Sequence, residues 1–314
     1  MKITVIGHLC LDTIHLPGAR SGEGGERELG GIIFAVGTLA NLAGPDDLII
    51  PVFGVGTSDH ERLQAWVSKY PQVDPSGIFL LDGPTNEVHL FYEDNGTART
   101  ECSAHLSQPI PFERIKPHLN TDAVLINMIS GFDITIETLD RIRMEVRDRG
   151  TPIHFDFHSL TLGVDPQSRR FRRALPDWRR WCFMLHSIQV SEEESSGLSA
   201  ERYDEATFIN QLMPLMVHTL IITRGARGAT VVQQMHKKLT RREIPGIETS
   251  EFLDPTGCGD VFGAAYVFKY LQTHDSFKAA EFANRIAAFN STRSGTQALD
   301  HLPQFIKTLE IEQA

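Results

Sequence analysis

Three scarcities narrow the reading of this 314-residue chain before any motif is considered. No stretch approaches the roughly 20 apolar residues that span a bilayer. The N-terminus, MKITVIGHLCLDTI, interrupts its short apolar run with His8 and Asp12 and so lacks the long apolar core of a signal peptide. Cysteine is sparse as well. Cys10, Cys102, Cys182 and Cys258 are scattered without a C-x-x-C pair, which fits reduced thiols in a cytoplasm better than a disulfide framework or a zinc knuckle. Positive charge is the third scarcity: 30 Lys and Arg against 40 Asp and Glu give a net charge of −10, a sign that repels nucleic-acid backbones and anionic membranes. The expected partner is a small molecule or another protein.

What is present is enough apolar content, 41%, to bury a full core. Short β-branched runs recur at Lys2 to Gly7, Asp47 to Phe53, Ala123 to Met128, Pro152 to Phe157, Phe183 to Gln189 and Thr219 to Thr223. Stretches with helical spacing, such as Ile136 to Arg149, lie between most of them. Strands alternating with helices predict an α/β fold, a doubly wound and mostly parallel sheet with helices on both faces, formed by one domain over 1–314. Two segments break the rhythm. Pro17 to Gly31 is glycine-rich and charged, and Glu87 to Ser103 alternates apolar and polar residues around Asp94-Asn95-Gly96, a hairpin signal. Segments at about 12–31 and 86–104 are therefore expected to form a small β lid over the ligand edge; a surface hairpin without a role is the alternative. The basic, aromatic stretch RRFRRALPDWRRW, Arg169 to Trp181, is expected to be a solvated helix face with aromatic anchors.

The stretch with the most chemistry is LDPTGCGDVF, residues 253–262, followed by an apolar run that reads as a buried helix. A turn that opens a helix presents N–H groups without internal partners, and together with the helix dipole these form an anion site. Glycines let a phosphate approach the backbone closely. Asp260 stands apart, because a carboxylate beside a phosphate site repels the ligand unless it has a second task. Accepting a proton from a hydroxyl while the N–H groups stabilise a transferring phosphoryl group would be such a task. A first-turn aspartate that merely satisfies helix N–H groups fits the local chemistry equally well.

The turn resembles the D-T-x-G-A-G-D signature of the ribokinase-like (PfkB) carbohydrate kinases, with Pro255 in the second position and Cys258 replacing alanine. Other stretches resemble that family in the same order along nearly the whole chain. The resemblance implies ATP and Mg2+ as cofactors and places Gly257, Cys258, Gly259 and Asp260 in the catalytic turn. It puts Asp12, from VIGHLCLDTI, on substrate hydroxyls, with Gly30, Gly31 and Phe34 beside the substrate. In LIITRGARGA it assigns Thr223, Gly225 and Gly228 to the nucleotide phosphates, and in FANRIAAFNSTRSGTQAL it nominates Asn284 and Gly295 beside the adenine. In QVSEEESSGL, Glu194 takes the position of a magnesium-binding glutamate, while Ser191 stands where asparagine is usual; three adjacent acids otherwise read as a helix-start cluster. A monovalent-cation site near the turn and a homodimer formed through the lid also occur in relatives. The Cys258 thiol, at a helix N-terminus, is either an inert small group or one with a lowered pKa and a redox role.

The substrate end departs from the sugar-kinase pattern. G-G-x-x-x-N becomes Gly30-Gly31-Ile32-Ile33-Phe34-Ala35, and D-x-N-x-R becomes Asp156-Phe157-His158-Ser159-Leu160. Losing a hydrogen-bonding side chain and gaining Phe34 imply a less sugar-like pocket. The early G-x-x-C-x-D and the D-P-T-G turn resemble the inositol-kinase-like branch. A polyol or small sugar is therefore the expected acceptor, ahead of a nucleoside. Two readings from other classes remain: a non-catalytic small-molecule sensor, and a metal-dependent hydrolase built on His154, Asp156 and His158, which alternate along an expected strand.

Overall fold

A computed structural model describes residues 1–15, 27–92, 99–235, 238–249 and 252–313. Along the chain the strands are β1 (Lys2–Ile6), β2 (Leu9–His15), β3 (Glu28–Gly31), β4 (Leu48–Val55), β5 (Ile78–Leu80), β6 (Asn86–Tyr92), β7 (Arg99–Ala104), β8 (Ala123–Asn127), β9 (Ile153–Asp156), β10 (Leu162–Val164), β11 (Arg170–Arg172), β12 (Ser187–Ser191), β13 (Thr219–Thr223), β14 (Gly228–Met235) and β15 (Lys238–Pro245). The α-helices are α1 (Ile32–Leu42), α2 (His60–Val67), α3 (Phe112–Ile115), α4 (Ile136–Arg147), α5 (Trp178–Cys182), α6 (Glu192–Gly197), α7 (Glu205–Leu212), α8 (Cys258–Thr273), α9 (Ser276–Asn290) and α10 (Gln297–Gln313).

Nine strands form the central sheet in the order β15-β14-β13-β12-β9-β8-β1-β4-β5. Every neighbouring pair from β13 to β5 is parallel, and only the β13–β14 and β14–β15 pairs are antiparallel. The apolar strand runs explain this arrangement. Successive side chains point to opposite faces, so a strand that is apolar throughout must be covered on both. Ile3, Val5, Leu125 and Ile221 join the cluster packed with α1, α8, α9 and α10. Their neighbours Ile6, Val124, Ile126, Leu220 and Ile222 join a second cluster with α3, α4, α5 and α7. The fold is thus the expected doubly wound, mostly parallel α/β sheet.

A separate four-stranded sheet, in the order β3-β2-β6-β7, stands off the carboxyl ends of the central strands. The expected hairpin is present as β6 and β7, paired from Glu87 with Ala104 to Tyr92 with Arg99. Asp94-Asn95-Gly96 lies outside the described residues, as does 16–26 of the glycine-rich segment.

Two local expectations are corrected. Arg169 to Trp181 is not one helix: Arg170–Arg172 pairs with Leu162–Val164 as the β10–β11 hairpin, and α5 starts only at Trp178. Pro176 disfavours helical backbone at the residue before it, and a strand partner eight residues upstream captures the arginines. The strand expected from Phe183 begins at Ser187, because the chain turns through a left-handed Met184 (φ 56°) after α5.

Ile126 is fully buried in the second cluster. Ile126→Ala is expected to cost about 2–5 kcal/mol of unfolding free energy, measured by urea denaturation; a loss below 0.5 kcal/mol, on the order of a surface change, would contradict the two-sided burial.

Candidate active site

β1 is flanked by β4 on one side and β8 on the other, so the winding direction reverses there. Loops leave such a point in opposite directions and open a crevice at the carboxyl ends of the strands. The N-terminus of α8 fills part of that crevice. Gly257, its N-cap residue, has φ 75° and supplies no side-chain cap. A Cβ at Gly257 would fall 2.3 Å from the Phe34 ring. The left-handed backbone and the aromatic contact together require glycine. Two further tethers fix the turn. Asp254 accepts from Thr256 N at 2.9 Å and from Gly295 N at 3.0 Å, and Asn290 Nδ2 donates to Thr256 O at 2.9 Å.

Two cavities meet at this turn. One is lined by Asp12, Gly31, Phe34, Glu101, His158, Gly257 and Asp260. The other is lined by Thr223, Gly225, Gly228, Asn284, Cys258 and Gly259, with apolar walls from Ile247, Phe252, Phe262, Ala287 and Ala288. The residues expected to bind substrate and those expected to bind nucleotide thus fall on opposite sides of Gly257 to Asp260. Gly30 sits behind the first cavity, opposite Cys10 in the β2–β3 pairing, and a Cβ there would lie 1.8 Å from Asp12 Oδ2. Its absence of a side chain makes room for the aspartate. Gly295 does not line the second cavity; its N–H holds Asp254 instead. Asn284 lines that cavity and donates to Pro245 O at 2.8 Å.

Asp260 is buried at the first turn of α8, and its Oδ1 accepts from Asn127 Nδ2 at 2.6 Å. His158 Nε2 lies 3.6 Å from the same oxygen. Burial pulls the His158 imidazole down, but the charges of Asp260, Asp156, Glu194 and Glu101 outweigh it and hold its pKa above the ordinary value. The raised pKa favours the positively charged form of His158 beside Asp260, in a cavity whose other charged lining residues are the carboxylates Asp12, Glu101 and Asp260. Asn127 and Glu101 had no local signal in the sequence. They reach the site from β8 and β7, so only strand order brings them there.

Glu194 completes a capping box on α6: it accepts from Ser191 N at 2.7 Å, and Ser191 Oγ accepts from Glu194 N at 3.1 Å. The helix-start reading of the acidic run therefore holds, and the carboxylate is also buried close enough to His158 to interact with its charge. Among the described residues no three His, Cys, Asp or Glu side chains gather to hold a metal ion. Mg2+ keeps several waters and binds through substrate phosphates with one or two carboxylates, so these residues fit an outer contact from Glu194 rather than a protein cage. The hydrolase arrangement on β9 does not form. β9 ends at Asp156, and His158 follows in a left-handed conformation (φ 39°). His154 is a core side chain that shares a proton with Ser187 Oγ at 2.8 Å, and burial pushes its pKa down to about 3.

The alternative of a lowered pKa at Cys258 is corrected. Burial pushes the thiol up to about 11, and Sγ donates to Ala287 O at 3.4 Å. Packing against α9 outweighs the helix N-terminus.

A mostly parallel doubly wound sheet, a bare helix N-terminus with a buried carboxylate, and a cavity on each side of it form an arrangement suited to moving a phosphoryl group between two ligands. Comparison with known proteins agrees. Residues 164–303 match the family model of the pfkB family carbohydrate kinases. A cytidine kinase of Thermococcus kodakarensis is 25% identical over 278 residues, covering 86% of this chain and 88% of the relative. Among solved structures, a pyrophosphate-dependent kinase of the ribokinase family, complexed with a pyrophosphate analogue and myo-inositol, superposes with a TM-score of 0.75 at 16% identity, covering 96% of this chain and 99% of that one. A ribokinase II from E. coli in complex with ATP and Mg2+ gives 0.71 at 18% identity, covering 98% and 99%. Residues 164–303, a little under half of the chain, are thus similar to the pfkB family carbohydrate kinases, and the fold of the whole chain is that of the ribokinase-like kinases.

Two outcomes follow from the site's electrostatics. Because the folded pKa of His158 is raised, its stabilising contribution is complete below the unfolded value of about 6.5 and is lost as pH rises through the folded value. The destabilisation caused by His158→Gln should therefore be larger at pH 6 than at pH 9 in urea titrations; a deficit independent of pH would mean that His158 is neutral. For Cys258, iodoacetamide at pH 7.5 is expected to leave the native thiol unmodified and to alkylate it after denaturation, as read by peptide mass spectrometry.

Proposed function

We propose that the protein transfers the γ-phosphate of ATP to a hydroxyl group of a small sugar or polyol. The observation that carries this reading is the placement of Asp260: a buried carboxylate at the point where the two cavities meet, held by Asn127 and beside His158. Asp260 is the general base that takes the proton of the acceptor hydroxyl as its oxygen attacks phosphorus in line. The backbone N–H groups of the Gly257–Gly259 turn stabilise the charge on the transferring phosphoryl group. Mg2+ on the donor phosphates would offset their charge, with Glu194 as its outer contact. Asp12, Gly31 and Phe34 shape the acceptor side, and Thr223, Gly225, Gly228 and Asn284 the donor side.

Support for ATP rather than pyrophosphate as the donor comes from the second cavity. Its Ile247, Phe252, Phe262, Ala287 and Ala288 walls provide apolar surface that a purine can cover and that pyrophosphate cannot. A lid over the acceptor is the role we give the four-stranded sheet, since Val88 and Leu90 of β6 and Glu101 of β7 line the first cavity. A nucleoside acceptor is a second reading, favoured by the likeness to a cytidine kinase and by the apolar Phe34, Val88, Leu90 and Ile129, against which a base can stack.

Asp260→Asn should remain folded, as read by a cooperative thermal transition, and lose about 10²–10⁴-fold in kcat; wild-type turnover would remove Asp260 from the role of base. A coupled assay of ATP consumption over inositols, hexoses, ribose and nucleosides, repeated with pyrophosphate as donor, identifies both substrates. Turnover with nucleosides alone would replace the polyol reading with the second one.

A further inference from the structure

Arg170, the first residue of β11, is a buried cation facing Glu101 of the acceptor cavity. Its side chain is only 2% exposed. Nη2 donates to Ser130 O at 2.6 Å, but Nε and Nη1 have no hydrogen-bond partner among the described residues. A buried guanidinium is tolerated when a carboxylate faces it and its donors are satisfied. Two carboxylates interact with it, Asp133 and Glu101. Asp133 is already committed, accepting from His8 N at 2.6 Å and from Ser130 N and Gly131 N at 3.0 Å each. Glu101 is the other. Its Oε1 stands 3.7 Å from Arg170 Nε, within ion-pair range but too long for a hydrogen bond. Glu101 also lines the acceptor cavity from β7, beside Asp12 and Asp260.

We propose that Glu101 reads the acceptor, that Arg170 holds it in position from behind, and that the pair selects neutral polyhydroxyl acceptors over anionic ones. An ionised carboxylate only accepts hydrogen bonds, and a hydroxyl donates them, so Glu101 and Asp12 together suit a ligand with several free hydroxyls. Three carboxylates and one imidazole face the cavity, and that excess of negative charge repels a phosphate or carboxylate on the ligand. The buried Cys10 thiol on the cavity wall responds to the same field: burial, then Asp12, Asp133 and Glu101, push its pKa up. Arg170 offsets part of that charge without reaching the ligand, because its donor atoms are covered. The β10–β11 hairpin thereby acts on specificity through Glu101 alone.

The inference rests on the first cavity being the acceptor site and does not depend on Asp260 being the base. An active Asp260→Asn enzyme would sink the latter and leave the binding of acceptors to decide the former. Calorimetric titrations of the full chain with myo-inositol, ribose and cytidine, and with gluconate and myo-inositol 1-phosphate, provide the test. Wild type is expected to bind at least one neutral compound more tightly than either anion. Glu101→Gln should weaken that binding by about tenfold or more, the size of a lost charge-assisted hydrogen bond, with ATP affinity on the same samples unchanged. Arg170→Met should weaken it in the same direction, and the double variant should bind no more weakly than Glu101→Gln, since the arginine acts through the glutamate. If Arg170→Met does not fold, Arg170→Lys, which keeps the charge and loses the planar fork, should give an intermediate loss. Tighter binding of an anion, binding of none of the neutral compounds, unchanged affinity in Glu101→Gln, or additive losses in the double variant would each overturn the proposal.

Discussion

The approach of the α8 N-terminus to the carboxyl end of β8 sets the rest of the structure. A helix can bring its unpaired N–H groups to the centre of the molecule only if its first residues are small and its partner presents groups able to receive a carboxylate. Gly257 meets the first condition, with the Phe34 ring where any Cβ would stand. Asn127 meets the second, donating to Asp260 across the end of the strand. Once those contacts are made, the crevice is divided. Phe34 and Asp260 face one side, while Cys258 and Gly259 face the other.

Electrostatics around this divide are managed by position rather than by abundance. Asp254 uses its carboxylate to tie the turn to the loop after α9, and Glu194 uses part of its own to cap α6. Asp260, Asp12 and Glu101 remain around one cavity, where His158 and the covered Arg170 supply the positive charge. The net charge of the whole chain says little about this local balance.

Features carried by contiguous residues were legible in the sequence. Leu253 to Phe262 showed its turn and the helix behind it, and the apolar runs showed a sheet covered on both faces. Features that depend on which strand lies beside which were not. Asn127 looks like the end of any buried strand, and nothing near Glu101 or Arg170 announces that β7 and β11 adjoin. The arginine-rich stretch resembles a helix in isolation because its strand partner, Leu162–Val164, comes beside it only on folding. The choice between the two states of the Cys258 thiol is hidden for a similar reason: its surroundings come from Ala287 and Asn290 on another helix.

The two cavities differ in how the chain supplies them. Walls of the cavity beside Cys258 and Gly259 come from residues 223–291, one C-terminal stretch, whereas those of the other come from residues 10–158 joined by only a few positions of the turn. The family match over residues 164–303 covers the first set and stops short of nearly all of the second. A chain built this way can diverge by halves. The wall built from the C-terminal stretch can be kept as a block while the other changes strand by strand, so that proteins alike in sequence at the C-terminus need not have the same cavity beside Asp12 and Phe34.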